Sequence, residues 1–308
     1  MRVWSQQYPG VEVMSVVLVT GCSSGLGEAG ALAFARAGDT VYASMRDIGK
    51  SARLKRLAAD EGLDLRMVAL DVTQPQTFAK LVDSIVAASG RLDVLVNNAG
   101  MLRSGAFEDL EERAIREVME VNFFGPFLLA RAVLPQMREQ RSGLIIMISS
   151  LSGVAGLPGD VAYTASKFAV EGATEALRHE VDRWNIRVAL VEAGLYATRI
   201  FAASLPSDHA LPADYPANSP YRPLVEHRLR ELRARLPEAF DPAIIGRLLV
   251  DIAAADGTQL RWPADAVARK VLATLLAQDD AARDQFLRNV SGTDWWSAGQ
   301  AAPSTGAS

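Results

Sequence analysis

Val16-Val17-Leu18-Val19-Thr20-Gly21-Cys22-Ser23-Ser24-Gly25-Leu26-Gly27 decides the fold. Its four leading apolar residues have the character of a strand buried on both faces. Glycines then turn the chain, and a helical pattern runs from Glu28 to about Ala37, where Gly38 ends it. Strand, glycine turn and helix bring backbone N–H groups and the positive end of a helix together, a place able to hold a pyrophosphate. Read alone, the turn serves equally well as an ordinary tight connection.

Working outward, strands and helices alternate. Strand patterns occur at 40–44, 65–70, 92–96, 144–149 and 186–191, and helical patterns at 50–61, 75–88, 109–139 with interruptions, and 162–184. Such alternation predicts a doubly wound parallel sheet with right-handed crossovers and helices on both faces, a three-layer α/β/α fold. A chain of 308 residues suits one large domain, expected over 14–290. Residues 1–13 read as an N-terminal extension without the apolar core of a signal peptide. After Thr198 the pattern breaks. Pro206, Pro212, Pro216, Pro220 and Pro223 mark a mobile loop within an expected lid over 199–240. Helical segments at about 224–236, 242–255 and 264–278 follow as a C-terminal substrate-side extension. From Ser291 to Ser308 a flexible tail is expected, with Trp295 and Trp296 docked on the body or on a partner.

Apolar residues make up 49% of the chain, a globular composition, and no membrane span is expected because the longest apolar runs are short. A net charge of −4 with scattered arginines gives nucleic-acid binding no support. Cys22 is the single cysteine, which excludes internal disulfides and fits a reducing, cytoplasmic setting. Its place beside Gly21 suits a small packing residue better than a nucleophile. No metal is expected.

The chemistry gathers around Tyr163 and Lys167. Four residues apart on a helix, they share a face. An unperturbed phenol titrates near 10, and a fixed positive charge nearby favours the phenolate. Thirteen residues upstream, Ser150 closes the apolar run Leu144-Ile145-Ile146-Met147-Ile148-Ser149-Ser150. Strand ends of that kind are where open α/β sheets place ligand-contacting groups.

With these residues in view, the chain resembles the short-chain dehydrogenase/reductase family in its single-domain, Rossmann-type branch, from about Val16 to Thr198. The motifs that carry the resemblance are the Thr20–Gly27 turn, Asp71, Asn97-Asn98-Ala99-Gly100, Asn122, Ser150, and Tyr163 with Lys167. Gly21-Cys22-Ser23-Ser24-Gly25-Leu26-Gly27, the strand Val41-Tyr42-Ala43 ending in Met45-Arg46-Asp47, and Leu157-Pro158 look most like the 17β-hydroxysteroid and retinol dehydrogenase group. The resemblance implies that Tyr163 donates or accepts the proton, Lys167 lowers its pKa and bonds the nicotinamide ribose, and Ser150 holds the substrate oxygen. Asn122 would anchor a water next to Lys167; equally, it is a polar residue interrupting a helix to bond a backbone group. Asp71 would bond the adenine, or simply cap a strand end.

The cofactor would be bounded by Gly21, Ser23, Ser24, Gly25, Leu26, Gly27, Arg46, Asp71, Val72, Asn98, Ala99, Gly100, Tyr163, Lys167, Gly194, Tyr196 and Thr198. Where the family commonly has Pro-Gly after the sixth strand, this chain has Glu192-Ala193-Gly194-Leu195, which keeps the glycine and loses the proline. Arg46 at the end of strand two offers a forked cation to a 2′-phosphate and favours NADP(H), with NAD(H) as the alternative. Met101, Leu102, Leu151, Leu157, Tyr196 and Phe201 would wall the reacting carbon, with Ile200 and Leu205 in the lid. These groups are mostly apolar and lack clustered charge, so a small hydrophobic ketone, aldehyde or alcohol is expected. A sensor that binds NADP(H) without turnover, and an NAD-dependent alcohol dehydrogenase, are the rivals. The resemblance also implies a homodimer or homotetramer, formed through the helices near 109–139 and 162–184.

Overall fold

A computed structural model describes residues 14–201, 211, 215–257 and 259–303. Seven parallel strands form one sheet in the order β3-β2-β1-β4-β5-β6-β7: β1 Val16–Val19, β2 Thr40–Met45, β3 Leu65–Ala69, β4 Val94–Asn97, β5 Gly143–Ile148, β6 Ile186–Glu192 and β7 Arg261–Pro263. Six match the strand patterns of the sequence to within a few residues. β7, an edge strand of three residues, carries too little pattern to be read from sequence, and Pro263 ends it.

The central strands are almost wholly apolar because both faces are covered. Val17, Val19, Ile146 and Val191 pack with Phe34 of α1 (Gly25–Arg36) and with Ile245 and Leu249 of α8 (Ala243–Ala254). Their neighbours Leu18, Leu95, Ile145 and Leu190 point the other way. They meet Ile85 of α3 (Phe78–Ser89), Leu129 and Val133 of α5 (Gly125–Gln140), and Val170 of α6 (Val161–Val181). Each such side chain contributes roughly 1.5–3 kcal/mol by leaving water. The tight crossing of α1 and α8 depends on glycine: a Cβ on Gly246 would stand 2.7 Å from the Ala29 carbonyl oxygen.

α2 spans Ala52–Asp60 and α4 Glu112–Met119. The interruption expected within 109–139 is a π-helical turn, Glu120–Phe124, which carries Asn122. This turn joins α4 and α5 into one run, Glu112–Gln140, long and apolar enough by length and composition to cross a bilayer. The expectation that every apolar run is too short is corrected on that point. In the fold, Leu129, Val133 and Met137 of this run are buried against the sheet.

Beyond β6 lie α7 (Arg222–Arg235), α8, α9 (Ala266–Leu276), α10 (Asp280–Ser291) and α11 (Asp294–Ser297). The start of α10 escapes the sequence reading because it follows α9 after three residues. Trp295, assigned to a tail, is buried edge-on against His227 of α7 at 5.4 Å between ring centres. Residues 1–13, Leu205, most of the 202–214 loop and 304–308 lie outside the described residues.

The strand order reverses between β1 and β4. Crossovers leave on opposite sides there, and the crevice at the strands' C-terminal ends is where such sheets take ligands.

Candidate active site

A cavity of about 860 Å³ opens at that crevice and runs from the end of β2 past β1 and β4 to the start of α6. At one end is the glycine turn. Gly21 and Gly25 have φ of +74° and +63°, and a Cβ on Gly21 would lie 2.9 Å from the Ala99 Cα. Gly27 does not line the cavity. A Cβ there would meet Asn98 Nδ2 and the Gly21 carbonyl oxygen at 2.5 Å, so its part is to let the helix start lie against β4. Ser24 is the N-cap of α1 but makes no side-chain cap. The first helical N–H groups are left for a ligand, as a diphosphate requires. The residues present therefore fit a dinucleotide.

Thr20 fastens the next wall. Its buried hydroxyl accepts from the backbone N–H groups of Asn98 and Ala99, both at 2.9 Å, while Asn98 Nδ2 donates to the Thr20 carbonyl at 2.8 Å. Asn97 faces away, donating to the Pro126 carbonyl at 3.1 Å. Asp71 lines the cavity, but its Oδ1 accepts from Thr73 N–H at 3.0 Å and Thr73 Oγ1 at 2.8 Å, a strand-end turn of the kind the sequence leaves open. Cys22 is buried and its thiol pKa is pushed up by burial, as befits a packing residue.

At the end of β2, Arg46 is exposed and borders the cavity. Asp47 uses its Oδ1 to cap Gly49 N–H at 2.9 Å. Lys50, which the sequence reading missed, borders the same corner. A second missed residue, Arg199, donates to the Ser23 carbonyl at 2.9 Å and ties the segment after β6 to the glycine turn. Gly194 approaches Asp265 closely, its N–H donating to Oδ2 at 3.2 Å. Thr198 packs over Gly25.

Ser150, Tyr163 and Lys167 come together in the cavity wall. Ser150 lies two residues beyond β5, where its Oγ accepts from Ser152 N–H at 3.1 Å and meets the Tyr163 phenol. Lys167, one turn along α6 from Tyr163, donates from Nζ to the Ile148 carbonyl at 2.8 Å and lies 5.7 Å from the Tyr163 ring centre. Burial pushes the Tyr163 pKa up to about 12; the Ser150 bond opposes this and Asp160 adds to it. Burial likewise lowers Lys167 to about 8, with Glu171 opposing. The expected lowering of the phenol calls on Lys167 together with a bound nicotinamide ring; in the protein alone burial is the largest influence.

Asn122 sits behind this group and does not line the cavity. Its Oδ1 accepts from Met101 N–H at 2.8 Å, and its Nδ2 donates to the Met101 carbonyl at 2.9 Å and to Ser166 Oγ at 3.0 Å. It fixes both the Met101 wall and the Tyr163 helix.

Met101, Leu102, Leu151, Leu157, Tyr196 and Phe201 all line the cavity, as do Leu26, Val72, Gly100 and Ile200. The expectation of walls without charge is corrected. Asp160, Arg228, Glu231 and Arg235 also border it, as do the apolar Val271 and Phe286 from the C-terminal helices. Asp160 lies just ahead of Tyr163; the others come from segments with no motif, and only packing brings them to the site.

Comparison with known proteins agrees with this geometry. Residues 15–208 match the family model described as short chain dehydrogenase. The chain is 42% identical over 187 residues to 3-ketodihydrosphingosine reductase of Bacteroides thetaiotaomicron, covering 59% of this chain and 64% of that one. It is 38% identical over 208 residues to bovine retinol dehydrogenase 8, covering 66% and 65%. Both matches thus span just under two thirds of the relative's length. Among solved structures, a short-chain dehydrogenase from Streptomyces avermitilis superimposes with TM-score 0.73 at 33% identity, covering 94% of this chain and 98% of that one. A metagenomic short-chain oxidoreductase in complex with NADP gives TM-score 0.63 at 26% identity, covering 81% and 96%.

Proposed function

The chain belongs to the short-chain dehydrogenase family, whose members are oxidoreductases acting on CH–OH donors, and from that premise we propose that it is an NADP(H)-dependent reductase of a hydrophobic ketone or aldehyde. One observation carries the reading: Ser150, Tyr163 and Lys167 stand together in the wall of the cavity that begins at the glycine turn. When bound, the nicotinamide supplies the hydride to the carbonyl carbon, or takes it back from the alcohol. Gly21, Ser23, Ser24 and Gly25 hold the diphosphate, and Ala99 and Gly100 leave room for its approach.

Ser150 holds the carbonyl oxygen from the β5 end. Tyr163 gives that oxygen a proton; with a pKa near 12 the phenol is fully protonated at neutral pH and ready to donate. Lys167, charged below about pH 8 and fixed by the Ile148 carbonyl, stabilises the phenolate left behind and bonds the ribose. Asn122 positions Met101 and α6, and hence Tyr163. Arg46 and Lys50 supply the charge that favours a 2′-phosphate.

Tyr163→Phe tests the assignment. Oxidation of NADPH by a panel of ketones should fall to background, while NADPH binding measured by fluorescence stays within a few-fold. Surviving turnover removes Tyr163 from proton transfer. An inactive native protein that binds NADPH tightly and turns over none of the panel favours the sensor reading. Phe124 and Phe168, on the helices expected at a subunit interface, are 44% and 43% exposed, which supports a homodimer through that face; sedimentation of Phe168→Asp would show monomers.

A further inference from the structure

The cavity has a polar corner that hydride and proton transfer leave unused. Arg228, on α7, donates from Nη1 to the Ser291 carbonyl at 2.9 Å, but its Nε is buried and meets no acceptor among the described residues. Asp160 is near enough for their charges to interact, yet it is an incomplete counter-charge. Its Oδ1 accepts from Ser104 Oγ at 2.8 Å, and burial pushes its carboxyl pKa upward. Glu231 and Arg235 bring one further charge of each sign. The corner is thus a desolvated guanidinium with a free donor, which suits an oxyanion, above all the planar carboxylate.

Beside it the walls turn apolar. Val271 from α9 and Phe286 and Val290 from α10 line the same cavity, and Val290 is 41% exposed. Arg228 bonds to the residue that follows Val290, so cation and apolar wall adjoin. Asp160 precedes Tyr163 by three residues, and its charge acts on both Tyr163 and Arg228. Arg228, Asp160 and Tyr163 thus border one cavity.

Resting on the reading of this site as a carbonyl reductase, we propose that Arg228 anchors a carboxylate close to the reacting carbonyl. The substrate is then an oxo acid whose alkyl chain lies against α9 and α10. Nothing in the family motifs requires this; it follows from the unpaired Nε and the wall beside it.

The test compares 3-oxodecanoate with 3-decanone, which differ only in a carboxylate against a methyl group. With NADPH present, the acid should have the higher kcat/KM by roughly 10- to 100-fold, the scale of a hydrogen bond to a charged group. That ratio should fall to within about threefold in Arg228→Met and Arg228→Gln, and survive in part in Arg228→Lys. Shortening the acid to 3-oxohexanoate should cost roughly tenfold or more, since four methylenes leave the apolar wall.

A wild-type ratio near one overturns the proposal without need of any variant. So does a ratio that both neutral variants preserve, which would mean that Arg228 only bolts α7 to α10. If neither carbonyl compound is reduced, decanoate and decanol are titrated against the NADPH-loaded protein by cofactor fluorescence. Preference for decanoate that vanishes in Arg228→Gln keeps the anchor and refutes the reductase reading. No preference refutes the anchor as well.

Discussion

Replacing Glu192 by glutamine should stabilise the protein at alkaline pH and leave it unchanged in mild acid. Glu192 ends β6 with 0% of its surface exposed, and neither carboxyl oxygen makes a well-formed hydrogen bond. Arg261 of β7 is the neighbouring cation, its Nε at 3.6 Å. Arg261 also faces Glu171 at 3.2 Å and Glu175 at 3.5 Å, so one guanidinium serves three carboxylates. Burial first, and Glu171 second, push Glu192 from 4.5 to about 8, against the opposing pull of backbone groups and Arg261. Between these values the native protein keeps a proton that the unfolded chain releases. Stability therefore falls as pH rises from about 4.5 to about 8, by up to about 1.36 kcal/mol per pH unit, and levels off above. Allowing for the shared arginine, the total is on the order of 3–5 kcal/mol. Glutamine mimics the protonated carboxyl and removes this slope. Urea unfolding of wild type and Glu192→Gln at pH 5 and pH 8.5 measures it: near-equal stability at pH 5, and a more stable variant by several kcal/mol at pH 8.5. A variant that is less stable by the same amount at both pH values would refute the reasoning. It would mean that an ionised Glu192 is held firmly by Arg261.

Three further outcomes are expected. Arg46→Ala should raise the KM for NADPH roughly 10- to 100-fold, the worth of a charged hydrogen bond, with little change for NADH; equal losses would refute the phosphate role. Reductive kcat/KM should be flat to about pH 8 and then fall as Lys167 loses its proton, while Tyr163, near 12, stays protonated throughout; a profile flat to pH 10 would remove Lys167 as the charge that matters. Gly27→Ala would set a Cβ 2.5 Å from the Gly21 carbonyl oxygen, so overpacking should cost about 1–3 kcal/mol in thermal unfolding and weaken NADPH binding; an unshifted melt would show that the turn has slack there.

The sheet was legible because each central strand is a short, continuous apolar run, and such runs arise where both faces are covered. β1, β2 and β6 sit where those runs predict. β7 was not legible: in Arg261-Trp262-Pro263 no residue is fully buried, and its place in the sheet is set by pairing with Leu190, Val191 and Glu192. α10 and α11 were missed for a related reason. Their positions follow from Arg228 bonding the Ser291 carbonyl and from Trp295 packing on His227, contacts between residues more than sixty apart.

The same contrast divides the site. Its cofactor half is built from backbone: glycines that admit close approach, a helix start, and strand ends held by Thr20, Ser150 and the Ile148 carbonyl. Backbone constraints leave residue types at fixed spacings, so a single sequence displays them. The substrate half is built from side chains on helices that meet only through packing, and there Arg228 or Val271 has no sequence partner to announce it. The expectation of mostly apolar walls without clustered charge was drawn from residues near the motifs, and it failed at Asp160 beside Tyr163 and at residues distant from the motifs. Desolvation then acts on both halves alike. It raises Tyr163 and lowers Lys167, and Arg228, whose Nε is buried without an acceptor among the described residues, borders the same cavity. The burial that raises the Tyr163 phenol above its ordinary pKa is of the same kind as the burial that would make a carboxylate at Arg228 bind strongly. Burial thus acts on both, and a change that lets water in at the α9–α10 wall should weaken the preference for a carboxylate and bring the phenol back toward 10.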